Sequence, residues 1–502
     1  MNGNMPVRRL ALGTLLVSFE GTNGTGVPYW LLDLLGNGVA GVTIFGRNIT
    51  PEDPVGNLAG LARGLRHGRP DLLIAIDEEG GDVTRLDAET GSMFLGQGSL
   101  GAIDDVDVTR RSSASLAARL ATAGVNLNFA PVADVASNVD SPIVGSRSFS
   151  ADPVRASRHT AAAVMGHLDS GVAPTAKHFP GHGSTADDSH LVVPVVRVDL
   201  PTLWSRELQP FQAAIAAGVP VVMTGHLLVP ALDPDAPATL SPRIIDGLLR
   251  TELGFDGVVV TDGLDMHAIS STVGRPEGVV RALLAGVDLM CIGGDSVTPD
   301  VVEDIVSAVE EAVASGRLDV ARLMQARDRV EALAARFSHD ASVRGLSPEE
   351  PMLDMARSSL RLVGDPSMAE TSTVVELRNE PSIVAGEVAF GMGRALVARS
   401  ASTRVVHLQR GMPVPELGQG GLVVSVRDAH LHPWQVEAVA SLRRDHPGLV
   451  VVDHSGSASA EVLGSRAIVA QDASAIAAVA AADVLLQGAA GSSGGISGGG
   501  QV

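Results

Sequence analysis

Between residues 15 and 293 the chain repeats one pattern: a short apolar run, a polar residue where it ends, then a longer helix-like segment. The runs fall at 15–19, 42–45, 72–76, 127–132, 174–179, 221–224, 258–261 and 289–292. Continuous apolar runs, as opposed to alternating ones, mark strands covered on both faces, as in a parallel sheet flanked by helices. Eight such units predict an α/β fold, a (β/α)8 TIM barrel. The residues near the C-terminal ends of the runs are Glu20, Arg47, Asn48, Asp77, Asp134, Lys177, His178, His226 and Asp262. In a barrel those ends form one mouth, so these side chains are expected to converge.

A helical pattern over 323–337 closes this unit, which is predicted to span residues 1–337. Residues 338–352, polar and carrying Pro348, Glu349, Glu350 and Pro351, read as a linker. Over 353–487 shorter β runs follow at 374–377, 405–408, 422–426, 449–452 and 467–469, with a helical pattern at 435–444, predicting a smaller α/β sandwich. The Gly/Ser-rich stretch 488–502 is expected to be a disordered tail.

Composition narrows the function. With 502 residues, 45% hydrophobic and 19% charged, the chain can bury more than one core. A formal charge of −20 argues against nucleic acid and anionic membrane surfaces as partners and leaves a neutral sugar open. Cys291 is the single cysteine and lies in an apolar run, which excludes a disulfide framework and reads as a buried thiol. Arg8 and Arg9 precede apolar residues that imitate a secretory signal, but Glu20 follows with no small-residue cleavage pattern. A first core strand and, by default, a cytoplasmic location are expected.

Chemistry concentrates in 177–190, where Lys177, His178, His182, Asp188 and His190 fall within fourteen residues around Phe179-Pro180-Gly181. In extended or loop geometry Asp188 and His190, two apart, point to the same side. Asp188 can then fix the His190 tautomer and raise its pKa, leaving the other ring nitrogen to shuttle a proton. An ordinary Asx-turn with a solvated histidine is the alternative. Asp262, held on a stiff β-branched run, suits nucleophilic attack or a helix N-cap, with Asp265 the better cap. A zinc site built from His178, His182, Asp188, His190 and His226 competes, although the Phe-Pro-Gly interruption breaks any shared helical face. Asp77 with Arg85, and Arg147, are groups that bond sugar hydroxyls and carbonyls well. The string Gly96-x-Gly98-x-x-Gly101 fits a dinucleotide fingerprint only literally, with no acid about twenty residues on.

Asp77-x-Glu-Gly-Gly with Arg85, Arg147-Ser-Phe, Lys177-His-Phe-Pro-Gly-His-Gly closing on Asp188-Ser-His190, Met223-Thr-Gly-His226 and Thr261-Asp262 stand in one order. Together they resemble family 3 glycoside hydrolases, in the β-N-acetylglucosaminidase branch whose acid/base is a His–Asp dyad. The resemblance covers about residues 10 to 335 and implies a retaining exo-β-N-acetylglucosaminidase that needs no cofactor. It makes Asp262 the nucleophile, His190 the acid/base and Asp188 its partner. Asp77, Arg85, Arg147, Lys177 and His178 would bind the N-acetylglucosamine unit. An aromatic content of 3% favours a small soluble substrate such as a disaccharide or muropeptide fragment, and the resemblance implies muropeptide or chitin fragments and a role in peptidoglycan recycling. A neutral imidazole would not repel an anion, so a phosphorylase using inorganic phosphate is the alternative, and a metal-dependent barrel hydrolase the second. Glu78 and Asp82 depart from the glutamine and arginine common in relatives, which is expected to shift preference on the leaving-group side.

Overall fold

A computed structural model describes residues 6–21, 26–185, 193–294, 297–338, 351–368, 373–380, 391–418 and 420–490. Eight parallel strands form the first sheet: β1 (Leu15–Val17), β2 (Gly41–Ile44), β3 (Leu73–Ile76), β4 (Leu127–Asn128), β5 (Ala173–Phe179), β6 (Val221–Thr224), β7 (Val258–Thr261) and β8 (Met290–Ile292). Neighbours follow chain order from β1 to β7, β8 lies beside β1, and a parallel bridge from Val260 to Leu289 joins β7 to β8. The eight apolar runs are thus the eight staves of a closed barrel. Every strand residue is buried, because one face meets the barrel interior and the other the helices. Leu16, Leu73, Phe129, Met223, Val260 and Cys291 pack in that interior with Leu333 and Phe337. These last two belong to the closing helix Val320–Arg336 and its C-cap. The apolar segment after Arg9 divides: Val7–Leu12 is helical and only Leu15–Val17 is strand.

The second sheet contains β9 (Arg361–Val363), β10 (Thr373–Leu377), β11 (Arg404–Leu408), β12 (Leu422–Val426), β13 (Val450–Asp453) and β14 (Ala467–Val469), in the order β11-β10-β12-β13-β14-β9. Its pairings are parallel except for antiparallel β9 at the edge. Helices cover both faces. Val439 and Leu442 of the helix Pro433–Asp445 pack with Val375, Val424 and Val451. On the opposite face Ala478, Ala481 and Leu485 of the helix Ala475–Ala490 pack with Val374, Val423 and Val450. This is the expected α/β sandwich. The helix Pro351–Ser359 begins within the stretch read as linker, and the last helix runs to Ala490. Residues 339–350 and 491–502 lie outside the described residues.

The chain divides into two compact units that do not follow its order. The second takes in Gly80–Asp82 and Ala88–Ile103 besides everything from Glu349 on. Within it, both Nε and Nη2 of Arg427 donate to Asp82, at 3.1 and 2.7 Å, and the Gly96 amide donates to Asp472 at 2.7 Å. A Cβ on Gly96 would stand 3.0 Å from the Asp472 Cβ and 3.1 Å from the Gly81 Cα. The glycine serves a close chain crossing there, and the fingerprint-like string opens the helix Gln97–Ile103.

Candidate active site

Asp262 leaves the end of β7 held on both sides. Its own amide donates to the Thr224 carbonyl of β6 at 3.0 Å, and the Leu264 amide donates to Cys291 of β8 at 3.0 Å. The Gly263 amide donates to Asp262 Oδ1 at 2.8 Å, and the Gly263 carbonyl accepts from His226 Nε2 at 2.9 Å. The His226 ring is wholly buried, with Nδ1 2.8 Å from the Thr239 hydroxyl, so it pins the turn that presents Asp262. Beneath lies Cys291. Burial, reinforced by Asp265, Asp262 and Asp77, pushes its thiol well above the usual range. The N-cap position of the helix His267–Ser270 is occupied by Met266, not by Asp265 as expected.

Lys177, near the end of β5, is 2% exposed and reaches past β4 to Asp77 Oδ1 at 2.7 Å and Glu79 Oε1 at 2.6 Å, both just beyond β3. Glu79 in turn takes both prongs of Arg147, Nε at 2.9 Å and Nη2 at 2.7 Å, while Arg147 Nη1 donates to the Ile143 carbonyl. Burial alone would raise the Glu79 carboxyl, but Arg147 and Lys177 outweigh it and hold the group well below the ordinary carboxylate range. Burial likewise opposes the charge on Lys177, and Asp77 and Glu79 overcome it and raise its pKa. Two cations thus stay charged in a closed space by sharing two carboxylates. Among the described residues, one N–H of Lys177 and one on each terminal nitrogen of Arg147 remain for a further acceptor.

Asp134 organises the imidazoles. It accepts from the His182 amide at 2.7 Å and from His178 Nδ1 at 2.7 Å. A carboxylate only accepts, so Nδ1 of His178 carries the proton of this bond. The Thr185 hydroxyl donates to the His182 carbonyl at 2.9 Å and must therefore accept from His182 Nδ1, 2.6 Å away. Burial lowers the His182 pKa to about 4, against the pull of Asp134, so this ring is neutral at physiological pH. Gly183 lies against the Val135 backbone, where a Cβ would come within 1.7 Å of the carbonyl oxygen. Asp188 and His190 lie outside the described residues.

Of the expected sugar ligands, Asp77, Lys177 and Arg147 form one connected network. His178 joins a second through Asp134. The Arg85 guanidinium lies 6.0 Å over the Phe45 ring, with Arg47 at 4.5 Å from it. Sequence reasoning passed over Glu79 and left Asp134 without a role. The signal for Glu79 was the spacing of two from Asp77, which turns both toward Lys177. Both departures are engaged by neighbours in the fold. Glu78 accepts the Arg85 and Leu86 amides, and Asp82 is paired with Arg427 inside the second unit. Among the described residues no group of three or more His, Cys, Asp or Glu side chains is placed to hold a metal ion, and His226 has both ring nitrogens engaged.

Acids, imidazoles and buried cations gathered at the strand C-termini of a parallel barrel are the active-site plan of a barrel enzyme. The chain belongs to glycosyl hydrolase family 3, whose N-terminal domain matches residues 30–333, and it is a glycoside hydrolase. It is 35% identical over 322 residues to a β-hexosaminidase of Hydrogenovibrio crunogenus, covering 63% of this chain and 87% of that one. It is 36% identical over 303 residues to a β-hexosaminidase of Stenotrophomonas maltophilia strain K279a, covering 59% and 87%. A solved family 3 β-N-acetylglucosaminidase from Paenibacillus sp. FPU-7 superimposes with a TM-score of 0.85 at 31% identity, over 96% of both chains. Among the described residues no helix is long and apolar enough to cross a membrane.

Proposed function

We propose that this chain is a retaining exo-β-N-acetylglucosaminidase acting on small soluble glycosides such as muropeptide or chitin fragments. The observation that carries the reading is Asp262, fixed between β6 and β8 at the barrel mouth, in a chain that matches the Paenibacillus β-N-acetylglucosaminidase along almost its whole length. A half-buried carboxylate on a rigid strand end can attack an anomeric carbon and form a glycosyl ester. His190, oriented by Asp188, would protonate the leaving oxygen and then deprotonate the incoming water. Asp77, Arg85, Arg147, Lys177 and His178 would hold the N-acetylglucosamine unit, with Lys177 and Arg147 preset by Glu79.

The reading is tested with aryl and alkyl β-N-acetylglucosaminides, each assayed with and without inorganic phosphate. Free N-acetylglucosamine released with retained configuration, at a rate independent of phosphate, is expected. N-acetylglucosamine 1-phosphate as the main product would make the chain a phosphorylase. His190→Ala should slow alkyl glycosides on the order of a hundredfold while nitrophenyl glycosides, which need little protonation, lose far less. An equal loss on both would overturn the acid/base role.

A further inference from the structure

Three consecutive acids follow β3, and alternation along the extended chain sends them to opposite sides. Asp77 and Glu79 meet Lys177, whereas Glu78 turns into the turn formed by residues 83–87. Its Oε2 accepts the Arg85 amide at 2.7 Å and the Leu86 amide at 3.0 Å. Its own backbone is fixed by Asn128, which accepts from the Glu78 amide at 3.0 Å and donates to the Glu78 carbonyl at 2.8 Å. The rest of the turn is tied at both ends. The Glu79 amide donates to the Val83 carbonyl at 3.0 Å, and the Asp87 carboxylate takes both terminal nitrogens of Arg119, at 2.5 and 2.7 Å. Arg85 is therefore carried by a turn whose centre hangs on one buried carboxyl group.

We propose that Glu78 is a positioning residue that sets the 83–87 turn so that Arg85 meets the sugar, an inference that rests on the reading of Arg85 as a sugar ligand. The charged groups facing it are Asp87, which opposes its ionisation, and Arg119, already paired with Asp87. Burial pushes the carboxyl up to about 7, against the Thr84 hydroxyl and the two amides that favour its charge. Two consequences have definite signs. A carboxyl raised on folding removes stability as pH climbs from the ordinary carboxylate range through about 7. Glu78→Gln should therefore melt above the wild type at alkaline pH and level with it in acid. Ionised Glu78 also strengthens the two amide bonds, so the wild-type KM should fall as pH rises through that range, and the Gln variant should lose this slope.

The decisive set is wild type, Glu78→Gln, Glu78→Ala, Arg85→Ala and the Glu78→Ala/Arg85→Ala double variant, assayed on an aryl β-N-acetylglucosaminide. Glu78→Ala should raise KM about tenfold, the scale of an unmet buried hydrogen bond, with a smaller fall in kcat. Glu78→Gln should recover most of the KM, since its amide oxygen can accept both N–H groups. The double variant should be no worse than Arg85→Ala, because both changes remove the same contact. An unchanged KM in Glu78→Ala, or effects that multiply in the double variant, would overturn the role. Should the wild type prove inactive on this substrate, the functional reading fails separately. Hydrogen exchange at the Arg85 and Leu86 amides then decides: selective acceleration in Glu78→Ala upholds the positioning, and unchanged protection overturns it.

Discussion

Asp262→Asn is expected to lower kcat on the order of 10⁴-fold or more, about 5 kcal/mol of barrier, while leaving the melting temperature near that of the wild type. The amide is nearly isosteric, and its oxygen can still accept the Gly263 N–H that now meets Oδ1 at 2.8 Å. What it cannot do is form the glycosyl ester, so the loss falls on the chemical step. The backbone that presents residue 262 is tied to Thr224 and, through Gly263, to His226, and neither tie uses the carboxylate. A fluorinated sugar with a good leaving group should trap the ester on Asp262 of the wild type. Label recovered from Asp265 or Asp134 would move the nucleophile elsewhere.

The barrel was legible because each of its strands is buried on both faces and so reads as an unbroken apolar run. Its mouth was legible because a polar residue stands at the same end of seven of the eight runs. β9 was not seen: Arg361 and Leu362 are exposed, so this edge strand has no apolar run to announce it. Nor could local pattern show that Gly80–Asp82 and Ala88–Ile103 belong with the second unit. The bonds that decide it, Asp82 with Arg427 and Gly96 with Asp472, join residues 345 and 376 positions apart. Within the site, residue types pointed to Asp77, Lys177, His178 and Asp262. They could not tell which of three adjacent acids serves which neighbour, because that depends on where Lys177 and the 83–87 turn lie across the barrel.

Glu79 is where that missing information has the largest consequence, and its removal should damage stability and activity together. Glu79→Ala leaves Arg147 with the Ile143 carbonyl and Lys177 with Asp77, two buried cations now sharing one carboxylate. Breaking a buried pair from one side costs about 3–5 kcal/mol, because the remaining charge stays desolvated. The urea midpoint should fall accordingly. Glu79→Gln keeps the volume and one acceptor and should lose less, though it cannot neutralise either cation. The sign with pH follows from the depressed pKa of Glu79. Its contribution is complete above the ordinary carboxylate range and disappears only as pH falls far below it, so the gap between wild type and variant should stay constant from neutral pH down to about 5. Activity should fall on the order of a hundredfold or more, since misplacing the cations proposed to hold the sugar would cost binding and alignment alike. A Glu79→Ala protein within about 0.5 kcal/mol of wild type, a range ordinary for surface substitutions, would show that Lys177 and Arg147 do not depend on this carboxylate and would remove Glu79 from the core of the site.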